Sequence, residues 1–434
     1  MSEIATGIIA LFILIILFLT GLELAFAMAA LGFVGFAYLV SFSAASNLLV
    51  KDFFDTFSSY GFTVIPLFVL MGQVASNSNI AKRLYMATHK FVGHIPGGIA
   101  MTTVVGATLF KAMCGSTLAT AATFAGIAIP EMDRYGYDKK LSTGVVASVG
   151  TLGMLIPPSI VLIIYSMIVE ESIGKMFLAG IIPGLMISAF FMIVIYGWVT
   201  LKPEIAPRAE KVPWSERISA LPEFMWVAII FLVVIGGLMW GWFSPTEAGS
   251  IGTFAVIALA AARRELTLRG LLKSIDESLR TACMVLLLIA GSTVLGHFLA
   301  VTEIPFVAAD WITSLPLHPS LIMVIIIAVY LIGGSFIDDL AFMILATPIF
   351  FPAVIKLGYN PMWFGIMIAI TVMIGVIIPP VAICVFVVKS ITGVPMGIIY
   401  RGCLPFLLSL FGCALLLFLF PQIVVFLPNM LMGK

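Results

Sequence analysis

The chain has 434 residues, of which 62% are hydrophobic and 10% charged, and its mean hydropathy is +1.20. Soluble domains carry roughly 25% charged residues, so this chain lacks the polar surface to cover itself in water and is read as a polytopic membrane protein. The net charge of +1 excludes the electrostatic footprint of a nucleic-acid partner.

The apolar stretches are continuous, as in residues 8–20, 224–243 and 412–427, and lack the alternation of barrel strands. Backbone polar groups in lipid must be satisfied within the segment, so such runs predict an all-α fold. The start, MSEIATG, has no basic flank of a cleavable leader, and the first helix is expected to be retained. In chain order, crossings are predicted at 5–20, 23–41 and 61–75, with amphipathic interfacial helices at 48–60 and 80–93. Residues 97–131 are apolar around a Gly/Ser/Thr-rich centre and predict a re-entrant helical hairpin. A crossing at 140–169, interrupted by GMLIPPS, follows, and then one at 175–200. A polar linker with four prolines, 201–222, leads into crossings at 223–243, 247–262 and 281–300 and an amphipathic segment at 303–315. A second hairpin at 319–353, a second interrupted crossing at 361–391 and a last crossing at 397–427 complete the chain.

These elements repeat. Pro130, Gly136 and Tyr137 recur as Pro352, Gly358 and Tyr359, 222 residues on. At the same offset GMLIPPS (153–159) recurs as GVIIPPV (375–381), and GIIP (180–183) as GCLP (402–405). The tip GST (115–117) matches GSF (334–336) at 219. The repeats are 1–200 and 223–434, each with five crossings, so the second is expected to insert upside down, as in many secondary transporters. With the N-terminus outside, seventeen basic residues fall in cytoplasmic loops and four outside, as the positive-inside rule requires. Lys111 alone lies at membrane depth.

The chemistry is expected where the hairpin tips meet the interrupted helices. Proline removes a backbone donor and displaces the residue before it. Each PP break therefore frees carbonyls suited to a hard cation and amides suited to an anion. At the first tip Gly115 permits a tight turn, Ser116 and Thr117 offer oxygens, and Thr120 and Thr123 begin the second arm. The second tip carries Asp338 and Asp339 in an apolar run, where an ionisable residue is costly and marks a functional site. Asp338 suits either a coupling cation or the cap of the second arm. Lys111 is placed to bind a substrate carboxylate, to pair with Asp338 or Asp339, or to snorkel toward a cavity. Ser116, Thr120, Ser159 and Ser335 are the hydroxyl candidates for substrate contact, together with Lys111 and Asp339. Glu23 and Glu247 read as structural anchors, the four histidines as interfacial residues and the five cysteines as packing residues. No HExxH, GxSxG, GxGD or Walker A sequence is present, so no enzymatic activity or ATP hydrolysis is expected.

The run GSTLATAATFAGIAIPEMDRYGY, then GMLIPPSIVLIIY and KMFLAGIIPG, resembles the large membrane subunit (DctM type) of tripartite ATP-independent periplasmic (TRAP) transporters, over essentially the whole chain. The resemblance implies an elevator-type secondary transporter of the bacterial inner membrane, importing an organic anion such as a C4-dicarboxylate, sialic acid or keto acid. It implies a soluble periplasmic binding protein and a small four-helix membrane subunit, here separately encoded, as partners. Two Na⁺ sites are implied. Gly115, Ser116, Thr117, Gly153 and Pro157 would form the first, and Gly334, Asp338, Gly375 and Pro379 the second. No cofactor besides the coupling ion is implied. Lys111 stands where the resemblance implies a small residue, and Asp339 doubles the acid. A passive organic-anion channel, and a membrane component powered by a partner ATPase, are the alternative readings.

Overall fold

The computed structural model describes residues 2–208 and 210–433, apart from the side chains of Leu19 and Asp339, and these residues contain no β-strand. Up to residue 201 the order is α1 (Glu3–Leu19), α2 (Leu24–Leu39), α3 (Phe42–Ser58), α4 (Val64–Asn77), α5 (Ile80–Val92), α6 (Gly98–Lys111), α7 (Thr117–Arg134), α8 (Lys139–Gly150), α9 (Ile160–Ile168) and α10 (Ile173–Leu201). Then come α11 (Trp214–Phe231), α12 (Gly237–Met239), α13 (Pro245–Ala262), α14 (Leu268–Val301), α15 (Ile304–Ser314), α16 (Pro319–Phe336), α17 (Asp339–Lys356), α18 (Pro361–Gly375), α19 (Ile383–Thr392), α20 (Met396–Leu419) and α21 (Gln422–Met432). A π-helical turn, Leu232–Gly236, joins α11 to α12.

Many of these helices start where a side-chain oxygen takes up an early amide that the helix itself leaves unpaired. Ser116 caps α7, Ser159 caps α9 and Asp338 caps α17. At α13 the cap is reciprocal: Ser244 accepts from the Glu247 amide, and the Glu247 carboxylate accepts from the Ser244 amide at 2.7 Å. Glu247 is thus a structural anchor, as the sequence suggests.

Six described helices are long and apolar enough to cross a bilayer: α10, α11 with α12, α13, α14, α16 and α20. The other expected crossings are shorter helices or bent pairs; α3 and α4, for example, meet at 55°. Three boundaries differ from the sequence reading. The helix expected at 223 begins at Trp214, inside the expected linker, because Pro213 sets the φ angle at its start. The crossing expected over 397–427 is two helices, since Pro421 forces Phe420 out of helical geometry. The crossing expected over 281–300 begins much earlier, at Leu268, where the Thr267 side chain accepts the Gly270 amide. The arm α16 is itself of spanning length.

The interrupted helices are the innermost elements. Every residue from Leu141 to Gly150 of α8 and from Met362 to Gly375 of α18 is buried. Irregular backbone is tolerated at membrane depth where it is buried in protein or lines a cavity; the first break, 151–159, is buried throughout, whereas Pro379, Pro380 and Val381 of the second are exposed. The outer surface is apolar, with Phe12, Ile16, Leu232 and Phe254 all exposed as a lipid-facing side chain would be. Without a hydrophobic drive between helices in lipid, close crossings depend on small residues. Thus α2 meets α14 where a Cβ at Gly32 would lie 2.6 Å from the Leu295 amide nitrogen. Ionic contacts gather at the ends: Arg83 pairs with Glu223 at 3.6 Å and with Glu265, while Arg263 also reaches Glu223. His297, read from sequence as interfacial, meets the buried carboxylate of Asp52 at 2.8 Å and ties α14 to α3.

Candidate functional site

The helices α6 and α7 pack against each other as the arms of a hairpin, as do α16 and α17. Each tip lies on one break. At the first tip, a Cβ on Gly115 would collide with the Pro158 carbonyl oxygen and lie 3.3 Å from its carbon, so only glycine allows this approach. The chain there runs from the 3-10 turn Thr151–Met154 through a cis Pro157–Pro158 bond to Ser159. At the second, a Cβ on Gly375 would lie 2.9 Å from the Gly334 oxygen, and the Val381 amide donates to the Ser335 oxygen at 3.4 Å. The break there also contains a cis bond, Pro379–Pro380. The resemblance-implied residues of each set therefore lie together, tip against break.

The tips differ chemically. Ser116 and Asp338 occupy equivalent cap positions, accepting the Ala119 amide at 3.2 Å and the Ala341 amide at 3.2 Å. One is a neutral hydroxyl and the other a carboxylate. The breaks end differently as well. Ser159 donates its hydroxyl to the Met154 oxygen at 2.7 Å and caps α9. Val381 stands at the matching place, and α19 starts instead from Ala382 at φ 43°, with the Cys384 amide donating to the Val376 oxygen at 3.2 Å.

Both tips line one cavity of about 110 Å³, to which the first contributes Gly115, Ser116 and Thr117 and the second Asp338 and Leu340. Its remaining wall includes Thr281, Met284 and Val285 of α14 and Ile383 and Cys384 of α19. Asp338 also lines a larger cavity of about 450 Å³ with Glu23, Arg280, Cys283 and Met284. Arg280, one of the seventeen basic residues that the sequence places in cytoplasmic loops, lies inside α14, lines this cavity and pairs with Asp276 at 2.9 Å. Glu23, read as an anchor, makes no cap hydrogen bond and faces the same space. The basic charge four residues after an acid on one helix was the signal that could have drawn attention to Arg280.

Several sequence-derived substrate candidates point elsewhere. The Thr120 and Ser335 hydroxyls donate to the Ser116 and Leu331 carbonyls at 3.0 and 2.7 Å, and Ser159 is fully buried. Lys111 is 0% exposed, so it does not snorkel, and it makes no ion pair among the described residues. Its ammonium donates to the Ser116 carbonyl at 2.9 Å instead of meeting Asp338. Asp339 opens α17, but its side chain lies outside the described residues. No disulfide joins the cysteines among the described residues.

Comparison with known proteins identifies the class to which this architecture is similar. Residues 11–423 match the family model described as "Tripartite ATP-independent periplasmic transporter, DctM component". The C4-dicarboxylate TRAP transporter large permease protein DctM of Pseudomonas aeruginosa is 34% identical, over 92% of this chain and 94% of that protein. The sialic acid TRAP transporter large permease protein SiaM of Vibrio cholerae is 30% identical, over 92% of this chain and 94% of that protein. Among solved structures, the YdaH transporter of Alcanivorax borkumensis superposes with a TM-score of 0.54 at 13% identity, covering 86% of this chain and 87% of that one, a likeness of fold.

Proposed function

The chain belongs to the DctM family of tripartite ATP-independent periplasmic transporter components, and from that premise we propose that it couples entry of an organic anion to sodium. It is the large permease subunit of a bacterial TRAP transporter for organic acids, and not an enzyme. The finer reading is that a carboxylate, with a C4-dicarboxylate first among candidates, is handed over by a periplasmic binding protein. A small membrane subunit completes the complex in the inner membrane. The chain would sit with its N-terminus in the periplasm and its two repeats inverted.

The observation that carries the sodium reading is the half-buried Asp338, placed where one tip meets the space between both hairpins. A carboxylate beside freed backbone carbonyls is a ligand set for a hard monovalent cation. An ion held there would bind tip and break together, and the hairpins would then move as one body against α2 and α14. That is an elevator motion, and the apolar wall of Met284 and Val285 offers it few ionic ties to break.

Reconstitution with the two partners supplies the test. An inward sodium gradient is expected to raise organic-acid uptake by at least about tenfold, equivalent to roughly 1.4 kcal/mol of driving interaction. Uptake should saturate and show counterflow, which a passive pore would not. Full uptake on a proton gradient alone would overturn the sodium assignment.

A further inference from the structure

Lys111 ends the first arm one turn before the tip and is the one fully buried lysine among the described residues. Its Nζ donates to the Ser116 carbonyl at 2.9 Å. That oxygen also accepts the Thr120 amide at 3.2 Å and the Thr120 hydroxyl at 3.0 Å. The Cys114 thiol lies 3.9 Å from it as well; a carbonyl oxygen has two lone pairs, so these donors leave it nothing to offer an added ion. The far end of the same side chain fills the break. A Cβ on Gly153 would collide with Nζ and lie 2.9 Å from Cε and 3.0 Å from Cδ. The ammonium thus stands between Ser116 and Gly153, two residues of the set implied for the first sodium site, and a second monovalent cation beside it would meet like-charge repulsion at low dielectric. Sodium does not fit this tip as it is built.

The second tip has no such group. Counting back from the tip glycine, Tyr330 stands where Lys111 does, and its hydroxyl donates to Thr347 at 3.1 Å. One tip therefore carries an amine without a carboxylate, and the other a carboxylate without an amine. Binding of a substrate carboxylate does not explain the lysine either, because Lys111 lines neither cavity that reaches the tips.

We propose that Lys111 is a tethered cation occupying the position sodium would take at the first tip, so that this chain binds a single sodium, at the second. The proposal rests on the sodium reading of the second tip given above. The fixed charge holds the first tip on its break permanently, and only the second closes in response to an ion.

The test is the count of radioactive sodium bound per chain at saturation, by equilibrium dialysis of the full-length protein purified with its membrane partner. Wild type should bind one, Asp338→Ala none, and Lys111→Ser two, since serine removes the amine and reopens the Ser116 and Gly153 backbone. A wild-type count of two would overturn the proposal and leave the sodium reading intact; this count needs no variant, so it decides even if Lys111→Ser fails to fold. A folded Lys111→Ser that still binds one would also overturn it. A wild-type count of zero would remove the sodium reading, and the proposal with it.

Discussion

Replacing Asp338 by asparagine is expected to abolish sodium-stimulated uptake at the sodium concentrations that just saturate the wild type, while leaving a folded protein. The Asp338 side chain accepts the Ala341 amide at 3.2 Å and so caps α17. Asparagine caps a helix about as well as aspartate, whereas alanine loses roughly 1 kcal/mol there. The two variants therefore separate the carboxylate's two roles. If Asp338 were only a cap, Asp338→Asn would transport normally and Asp338→Ala would be slightly less stable. If its charge holds the cation, both variants lose stimulation. A hydrogen bond or ligand contact to a charged group contributes about 1.5–3 kcal/mol, which predicts a rise in the half-saturating sodium concentration of roughly 10- to 150-fold. Sodium titration of uptake in proteoliposomes, beside thermal unfolding of the same preparations, gives the result. Unchanged sodium dependence in Asp338→Asn would sink the assignment.

The largest structural effect is expected at Gly402. This residue of α20 lies against α8, the first segment of the first broken helix. A Cβ at Gly402 would collide with the Lys140 carbonyl oxygen and lie 2.9 Å from its carbon and 3.1 Å from the Gly144 Cα. All three neighbours are backbone, so no rotamer change relieves the overlap. Overpacking in a core costs about 1–3 kcal/mol when side chains can yield, and here they cannot. Gly402→Val should therefore give little or no monodisperse protein on fluorescence-detected size exclusion. Gly126 is the control: a Cβ there meets nothing within 4 Å. Gly126→Ala in the helical arm α7 is expected to be neutral, or stabilising by about 0.5–1 kcal/mol, because alanine loses less conformational freedom than glycine. Equal yields from both variants would mean that the α8–α20 crossing is not needed for folding.

The legible parts of the site are those with a local cause. Pro-Pro interrupts a helix by removing its own amides and displacing its immediate neighbour, so both breaks could be placed from seven-residue motifs. Gly115 is needed because the Pro158 carbonyl stands where a Cβ would be, whereas Gly334 lies inside α16 with open space around it, and Ser116 and Asp338 are capping residues just before helices. The chain boundaries that went astray also had local signals. Pro421 sits inside a long apolar run, and composition outweighed a single proline. Trp214 begins a helix in a stretch whose prolines and charges read as linker. Arg280 reads as a loop charge when the crossing is placed at 281–300, whereas α14 starts at Leu268.

By itself the sequence determined that this is a helical membrane protein with two polar hairpin tips and two broken helices, and it carried the family resemblance. Those conclusions depend on hydropathy summed over a segment and on the conformational limits of proline and glycine, which a chain carries wherever it folds. Only the tertiary structure decided which groups come together: Lys111 against Ser116 and Gly153, Asp52 against His297, and Arg280, Glu23 and Asp338 around one cavity. Their pairing depends on how segments distant in sequence pack, at spacings no local pattern encodes. For Lys111 that packing separates an expected substrate ligand from a fully buried amine donating to the tip carbonyl where a sodium ion was expected.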